Sequence, residues 1–195
     1  MKKLFILSSI IAATMFATAQ TTTWNVDNSH SNVKFTVTHL LVSEVDGSFR
    51  TYNGSIETTK ADFDGATINF SVDVNSVNTD NEKRDKHLKA DDFFNAEKYP
   101  QMTFKGTSFK KISDKKYILE GDLTIRDVTK KVKFEVSYGG TTKDPYGNTK
   151  AGFKATTKIS RKEFKLMWSA MTEAGGAVVG DEVEVKLNLE FAQKK

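Results

Sequence analysis

Three histidines, His30, His39 and His87, are the residues of this chain best suited to metal or proton-transfer chemistry. Three imidazole ligands and a water molecule would form a catalytic zinc site, in which the metal activates the water for hydrolysis. The three histidines are nine and forty-eight residues apart, and these separations match no local ligand motif. A metal-assisted hydrolase that uses His30, His39 and His87 is therefore an alternative interpretation, which depends on the fold to bring the three side chains together.

The other features that could support catalysis have simpler explanations. Ser29 and Ser31 flank His30, but adjacent residues on an extended strand point to opposite faces, which is a poor geometry for activating a hydroxyl nucleophile. The chain has no cysteine, which excludes cysteine nucleophiles, thiolate metal sites and dithiol redox chemistry. We therefore predict a protein that is not an enzyme and that needs no cofactor.

The stretch from Thr79 to Pro100 has the pattern of neither a strand nor a simple turn. The spacing of Thr79 and Glu82 fits a capping box, in which the two side chains satisfy backbone N–H groups of the first helical turn. No Gly or Pro follows until Pro100, so we predict one short helix within a flap at about residues 80–95.

This flap combines ionisable residues with two adjacent phenylalanines, Phe93 and Phe94. We expect the phenylalanines to cover an apolar interior and the ionisable side chains to fix the flap through charge-assisted hydrogen bonds. The predicted flap-fixing residues are Arg84, Asp85, His87 and Asp91, with His87 bonded to the wall of the sheet. The alternative is a solvated surface helix with two core anchors.

Most of the remaining sequence alternates apolar and polar residues with a period of two, which indicates strands with one buried face. About eight such segments follow one another, separated by turn signals such as Asn53-Gly54 and Gly139-Gly140. An antiparallel sandwich or a closed barrel would satisfy this pattern. The many inward-facing phenylalanines favour a barrel with an elongated apolar cavity, because an eight-stranded barrel can enclose one small ligand.

Residues on the apolar faces of these strands are the candidate ligand contacts. The predicted lining of the cavity comprises Phe35, Val37, Phe49, Phe70, Val72, Phe134, Phe153 and Leu187, together with Phe93 and Phe94 of the flap. His39 continues the apolar face of the first long strand, so we expect it at the rim, where it could meet the polar end of a ligand.

The N-terminus has the pattern of a secretory signal peptide. Lys2-Lys3 precede an apolar run, and Ala17 and Ala19 provide a small-x-small cleavage pattern. We predict cleavage after Ala19, so that residues 1–19 are removed and residues 20–195 form a single domain. Such a protein would be periplasmic or secreted.

Charge narrows the range of partners. Without Lys2 and Lys3 the 29 basic residues fall to 27, against 25 acidic residues, and the two signs are interspersed. This pattern does not predict nucleic-acid binding, and no later apolar run approaches the ~20 residues of a membrane span, so no stable membrane insertion is expected. The sequence leaves open whether the protein is a homodimer.

Several motifs resemble those of one known family. The opening of the chain contributes Asp27-x-x-His30-Ser31 and Gly47-x-Phe49, and a central block runs from Thr79 through Arg84-Asp85-x-His87-Leu88 to Phe93. Gly121-Asp122-Leu123-Thr124-Ile125 and Ile159-Ser160-Arg161-x-Glu163-Phe164 complete the pattern. In order and over nearly all of residues 20–195, this resembles the YceI-like family.

The resemblance implies a lipocalin-like antiparallel barrel that holds a polyisoprenoid chain, such as a quinone tail, in a periplasmic or secreted protein. The chain departs from the family pattern at Asp127 and Lys165, where Gly is usual, and at Lys131, where Pro is common. Lys165 leaves the shape of its loop in question, whereas Asp tolerates a left-handed turn better than most residues.

The first hypothesis is therefore an exported lipid-binding protein that holds a quinone- or prenyl-type chain for storage, transport or stress protection. Its expected partner is an isoprenoid lipid rather than a nucleic acid. The alternatives are the metal-assisted hydrolase and a ligand-free structural barrel whose core is packed solid.

Overall fold

The structure is a computed structural model, and it describes residues 20–171, 173 and 175–195. The predicted signal peptide lies outside the described residues. Strands account for most of the described chain, and one α-helix, α1, extends from Glu82 to Leu88. No helix in this part of the chain combines the length and the apolar character needed to cross a membrane.

Eleven strand segments form one antiparallel sheet. Their bounds are β1 Thr22–Val26, β2 Asn32–His39, β3 Ser43–Phe49, β4 Tyr52–Thr58, β5 Thr67–Asp73, β6 Val77–Asn78, β7 Gln101–Ser113, β8 Lys116–Ile125, β9 Val128–Lys143, β10 Thr149–Ser160 and β11 Val179–Gln193. Short 3-10 helices occupy Asn28–His30, Val74–Ser76 and Lys162–Phe164.

The sheet closes because β11 pairs with two segments. Its N-terminal part pairs with β2, and its C-terminal part pairs with β1. β1–β2, β3–β4 and β5–β6 each form one interrupted strand, since β4 pairs with β1 and β5 while β3 pairs with β2 and β6. The eleven segments thus form an eight-stranded closed barrel, which confirms the predicted fold class.

Two predicted turns are in fact glycines within strands. Gly54 lies opposite Phe70, and a Cβ at Gly54 would stand 2.4 Å from the Phe70 ring. This glycine therefore makes room for an inward-facing ring rather than reversing the chain. Gly140 has a φ of +118° and pairs with Gly152 beside a shift of register between β9 and β10, so it marks an irregularity in a long strand.

Aromatic rings fill the end of the barrel remote from α1. Phe63, in the connection between β4 and β5, is 1% exposed. Its ring centroid lies 5.2 Å from that of Trp24 and 5.2 Å from that of Phe153. The Tyr117 hydroxyl donates to the Asp62 carbonyl at 2.6 Å and so anchors the same connection. This packing closes one end of the barrel, because large apolar rings leave little space between them.

Candidate functional site

The barrel encloses an apolar cavity of about 610 Å³. Inward residues of the strands and residues of the flap line it together. All eleven sequence-predicted contact residues are on its wall, namely Phe35, Val37, His39, Phe49, Phe70, Val72, Phe93, Phe94, Phe134, Phe153 and Leu187. Their contact with a ligand stays a prediction.

Close packing of glycine against phenylalanine shapes the wall. Gly47 lies opposite Phe35, and a Cβ at Gly47 would stand 2.2 Å from the Phe35 ring. Gly54 and Phe70 repeat this arrangement on neighbouring strands. Each missing Cβ allows the ring to lie over the adjacent strand, and the centre of the barrel is left less filled than larger residues would leave it.

Most of the polar residues of the lining, Lys34 excepted, gather towards the flap. Lys83, Arg84 and His87 belong to α1, and His39 ends β2. Among the described residues, those that line the cavity include no aspartate or glutamate. The cavity therefore has an apolar depth and one polar end that carries cations and hydrogen-bond donors.

The helix of the flap begins differently from the predicted capping box. Asn81 is the N-cap residue, and its side-chain oxygen accepts the Arg84 N–H at 3.0 Å. Thr79 instead bonds to Asp85, which accepts its backbone N–H at 2.9 Å and its hydroxyl at 2.5 Å. The Thr79–Glu82 prediction was therefore wrong, because Asn81, two residues closer to the helix, provides the cap.

Arg84 and Asp85 act on the same residue. The Arg84 Nε donates to the Thr79 hydroxyl at 2.8 Å, and its Nη2 donates to the Thr79 carbonyl at 2.7 Å. Thr79 is 5% exposed, so these bonds satisfy buried polar groups where the chain leaves β6. Arg84 and Asp85 thus fix the start of the flap.

His87 and Asp92 fix the end of the helix. His87 Nε2 lies 2.9 Å from Asp92 Oδ2. The prediction that His87 bonds to the barrel wall is therefore wrong, because its hydrogen bond stays within the flap. Its ring also packs edge-on against Phe93 and Trp168. Asp91 is exposed and makes no side-chain hydrogen bond within the described residues. Asp92, and not Asp91, therefore provides the hydrogen bond that fixes the flap.

Two arginines without a predicted role hold the connections at this end of the barrel, since Arg126 ties the flap to the β8–β9 turn and Arg161 ties the β10–β11 loop to the start of β11. Arg126 Nη1 donates to the carbonyls of Phe93 and Lys165, at 2.9 and 2.8 Å. Arg161, only 5% exposed, donates to the carbonyls of four residues. These are Leu166, Trp168, Val179 and Gly180. Burial lowers the pKa of the Arg161 guanidinium.

The sequence feature that could have identified Arg161 as a site residue is its position in the Ile159-Ser160-Arg161 motif. Nothing in the local pattern around Arg126 indicated a contact with Phe93, which lies thirty-three residues away. Such a contact exists only because the β8–β9 turn and the flap meet at the same end of the barrel.

The three histidines do not form one site. His39 and His87 line the cavity, whereas His30 is 65% exposed and bonds to Asp27 at 3.1 Å. Asp27 and Glu190 could offer a metal two carboxylates beside His30. The Lys150 ammonium already contacts both carboxylates, 3.1 Å from Glu190. The geometry therefore gives no support to a three-histidine zinc site.

Lys150 also governs the electrostatics of this external cluster. Its hydrogen bond, followed by that of His30, lowers the pKa of Asp27 from 3.8 to about 2. The pKa of Lys150 is raised, chiefly by the same bond to Asp27. This cluster joins β10 and β11 to the break between β1 and β2.

Comparison with known proteins places the chain among proteins with the same architecture. The family model described as a YceI-like domain matches residues 24–191. The YceI protein of Salmonella newport is 35% identical over 191 residues, which cover 98% of this chain and 96% of the relative.

Solved structures agree with this result. The crystal structure of the Campylobacter jejuni YceI protein superposes with a TM-score of 0.70 at 35% identity, covering 81% of this chain and 90% of that protein. A polyisoprenoid-binding domain from Saccharophagus degradans, implicated in plant cell wall breakdown, has a TM-score of 0.62 at 16% identity. The superposition covers 88% of this chain and 98% of that domain. At this level of identity it shows a similarity of fold.

Proposed function

The chain belongs to the YceI-like family, and from this premise we propose that it is an exported protein that holds an isoprenoid lipid in its barrel cavity. The Saccharophagus degradans domain of similar fold is described as polyisoprenoid-binding, which supports a lipid of this class. Storage, transport or stress protection would all use the same binding step.

The apolar cavity is the observation that carries this proposal. Its volume of about 610 Å³ lies within the ~300–1,000 Å³ of typical ligand pockets. A native protein interior normally contains few voids larger than a water molecule. An apolar cavity of this size therefore favours a ligand-binding barrel over a barrel with a solid core.

The distribution of polar groups suggests how a lipid would be oriented. An isoprenoid tail would lie among the phenylalanines of the barrel, since burying apolar surface is favourable and needs no hydrogen bonds. The polar end would remain near His39 and Arg84, because a polar group buried in the depth of the cavity would lack partners.

We also propose that the protein is periplasmic or secreted and is not an enzyme. The first proposal depends on the signal-peptide pattern that ends at Ala19. The second is supported by the separation of His30 from His39 and His87. A bound lipid would be cargo rather than a cofactor.

Native mass spectrometry of protein purified without detergent tests the function. We expect an added mass that dissociates as an isoprenoid lipid. Val185→Trp should reduce the bound fraction because Val185 lines the cavity, whereas Lys186→Trp places the same bulk on an exposed residue of the same strand and should not. A bare polypeptide mass that stays unchanged when prenyl lipids are added would contradict the proposal.

A further inference from the structure

We propose that the flap end of the barrel docks on the surface of a phospholipid bilayer. The contact would be a rim formed by residues 40–42 of the β2–β3 turn and by described residues of the β10–β11 loop. Of the seven large hydrophobic side chains that are exposed in the described part of the chain, five belong to this rim. They are Leu40, Leu41, Val42, Met167 and Met171.

The backbone of the β2–β3 turn is unusual for the residues that occupy it. Leu40 and Leu41 have φ values of +52° and +62°, and the Val42 N–H donates to the His39 carbonyl at 3.2 Å. Turns with two successive positive φ values favour Asn-Gly, because larger L-residues are strained there. Leu41 is nevertheless 67% exposed, so packing within the chain does not explain the choice of leucine.

The two parts of the rim are held side by side. The Leu40 N–H donates to the Val178 carbonyl at 2.9 Å, which attaches the turn to the end of the β10–β11 loop. In the same loop, Met171 pairs with Ala177 in an isolated bridge, and the Val178 N–H donates to Ala170. The exposed leucines and Met171 therefore belong to one edge of the molecule.

This edge borders the polar end of the cavity. His39 immediately precedes Leu40, and Trp168 immediately follows Met167. Both His39 and Trp168 line the cavity. An apolar surface thus continues from the interior of the barrel to the exposed rim, as a route for a lipid between the two would require.

Charge at the same edge complements phospholipid headgroups. Lys83 and Lys86 are exposed, and their three-residue spacing places them on one face of α1. Neither ammonium lies within 4.0 Å of a carboxylate of the described residues. Both are free to approach lipid phosphates, although the exposed Asp80, Glu82 and Asp91 of the same segment offset their charge. Apolar insertion should therefore contribute more than charge.

The size of the rim distinguishes a bilayer from a second protein surface. A stable protein–protein interface uses ~20–30 residues on each side, whereas five exposed apolar side chains form this rim. A small number of apolar side chains is enough to enter the headgroup region of a bilayer. The rim therefore fits reversible association with a membrane better than a subunit interface.

Docking would allow a lipid to pass between the bilayer and the cavity without crossing water. This consequence rests on the proposed function, but the docking itself does not. Residues 20–195 should sediment with vesicles of phosphatidylcholine and phosphatidylglycerol, and the half-buried Trp168 beside the rim should report the association by fluorescence.

The test variant is the double substitution Leu40→Asn and Leu41→Gly. It supplies the residues that the turn favours, so the melting temperature should stay the same or rise. Partitioning onto vesicles should fall by at least about tenfold, because the inserted leucines are lost. Ile112→Asn is the matched control, since Ile112 is 59% exposed but lies near the β7–β8 turn at the other end of the barrel.

Three results would overturn the docking proposal: a wild-type protein that does not sediment with vesicles, a double variant that binds as well as wild type, or an Ile112→Asn variant with an equal loss. A wild-type dimer that becomes monomeric in the double variant, without vesicle binding, would identify a subunit interface instead. Affinity for a short prenyl alcohol in solution should be unchanged in the double variant. Absence of that affinity in wild type would contradict the proposed function and leave docking intact.

Discussion

Lys165 Nζ lies 2.8 Å from Asp127 Oδ2, and the two residues belong to different connections at the flap end of the barrel. Both stand where the YceI-like pattern usually has glycine. The Lys165 ammonium holds the pKa of Asp127 below its ordinary value, and the Lys165 carbonyl accepts a hydrogen bond from Arg126. The two departures from the family pattern thus meet in space and join the β8–β9 turn to the β10–β11 loop.

This relationship predicts a small effect for Lys165→Gly. Lys165 has a φ of +62°, so glycine would relieve backbone strain while the exposed ion pair is lost. We expect these opposing effects to keep the melting temperature within about 2 °C of wild type. Lys165→Ala retains the strain and loses the pair, so calorimetry should show a larger decrease. Equal decreases in both variants would contradict the explanation.

The external cluster around Asp27 predicts a specific acid sensitivity. The pKa of Asp27 falls from 3.8 to about 2 in the folded protein, so ionised Asp27 stabilises the fold fully above about pH 4. This contribution disappears as the pH falls towards about 2, where the folded-state carboxyl is protonated. After allowance for solvent screening, we expect about 1 kcal/mol.

Asp27→Asn should therefore lower the free energy of unfolding at neutral pH and remove the corresponding pH dependence between about pH 4 and 2. Urea unfolding at several pH values measures both effects. Asp122→Asn is the control, because the Asp122 side chain pairs with Lys131 at an exposed position and with no other residue of the described chain. A pH profile that is unchanged in Asp27→Asn would show that the pair with Lys150 does not contribute.

Two adjacent aspartates in the flap should behave differently. Asp92→Ala removes the partner of His87 and is expected to loosen α1, so amide hydrogen exchange in residues 82–88 should become several-fold faster. Asp91→Ala removes an exposed side chain that has no hydrogen bond in the described structure and should leave the exchange rates unchanged. Equal acceleration of exchange in the two variants would contradict a stabilising hydrogen bond between His87 and Asp92.

The Gly54–Phe70 contact predicts that one added methyl group will disturb the cavity. Gly54→Ala would place Cβ 2.4 Å from the Phe70 ring, which forces the ring inwards and costs about 1–3 kcal/mol. We expect a lower melting temperature and weaker prenyl-lipid binding. Gly152→Ala is the control, because a Cβ at Gly152 meets no atom within 4 Å. If the clash is the cause, Gly54→Ala should lower stability much less in a Phe70→Ala background than in wild type, because the ring that it meets is absent.

The length of the bound chain should determine affinity. Full transfer of a five-carbon isoprene unit from water would contribute roughly 4 kcal/mol. Drug-sized ligands realise nearer ~0.3 kcal/mol per heavy atom, or roughly 1.5 kcal/mol per unit. Titration of prenyl alcohols of increasing length should therefore show about a tenfold gain per unit, up to the length that fills the cavity. Affinities that depend only on the headgroup, and not on chain length, would contradict a cavity that binds the isoprenoid tail.

The alternation of residues determined much of this structure by itself. Side chains on a strand face opposite sides with a period of two, so Phe35, Phe70 and Phe134 could be placed on an inner wall without knowledge of their neighbours. The absence of Gly and Pro between Thr79 and Pro100 likewise predicted the single helix. The nine predicted contact residues that belong to strands all line the cavity, because inward orientation is a local property of each strand.

The tertiary structure decided which partners each residue meets. Gly54 resembled a turn until the register of β4 and β5 placed it against Phe70. The same dependence separates Asp92 from Asp91 and brings Arg126 to Phe93. Registers and contacts between distant segments arise from closure of the barrel, in which β11 pairs with both β1 and β2. No local pattern encodes them, because the free energy that selects them comes from packing the whole interior at once.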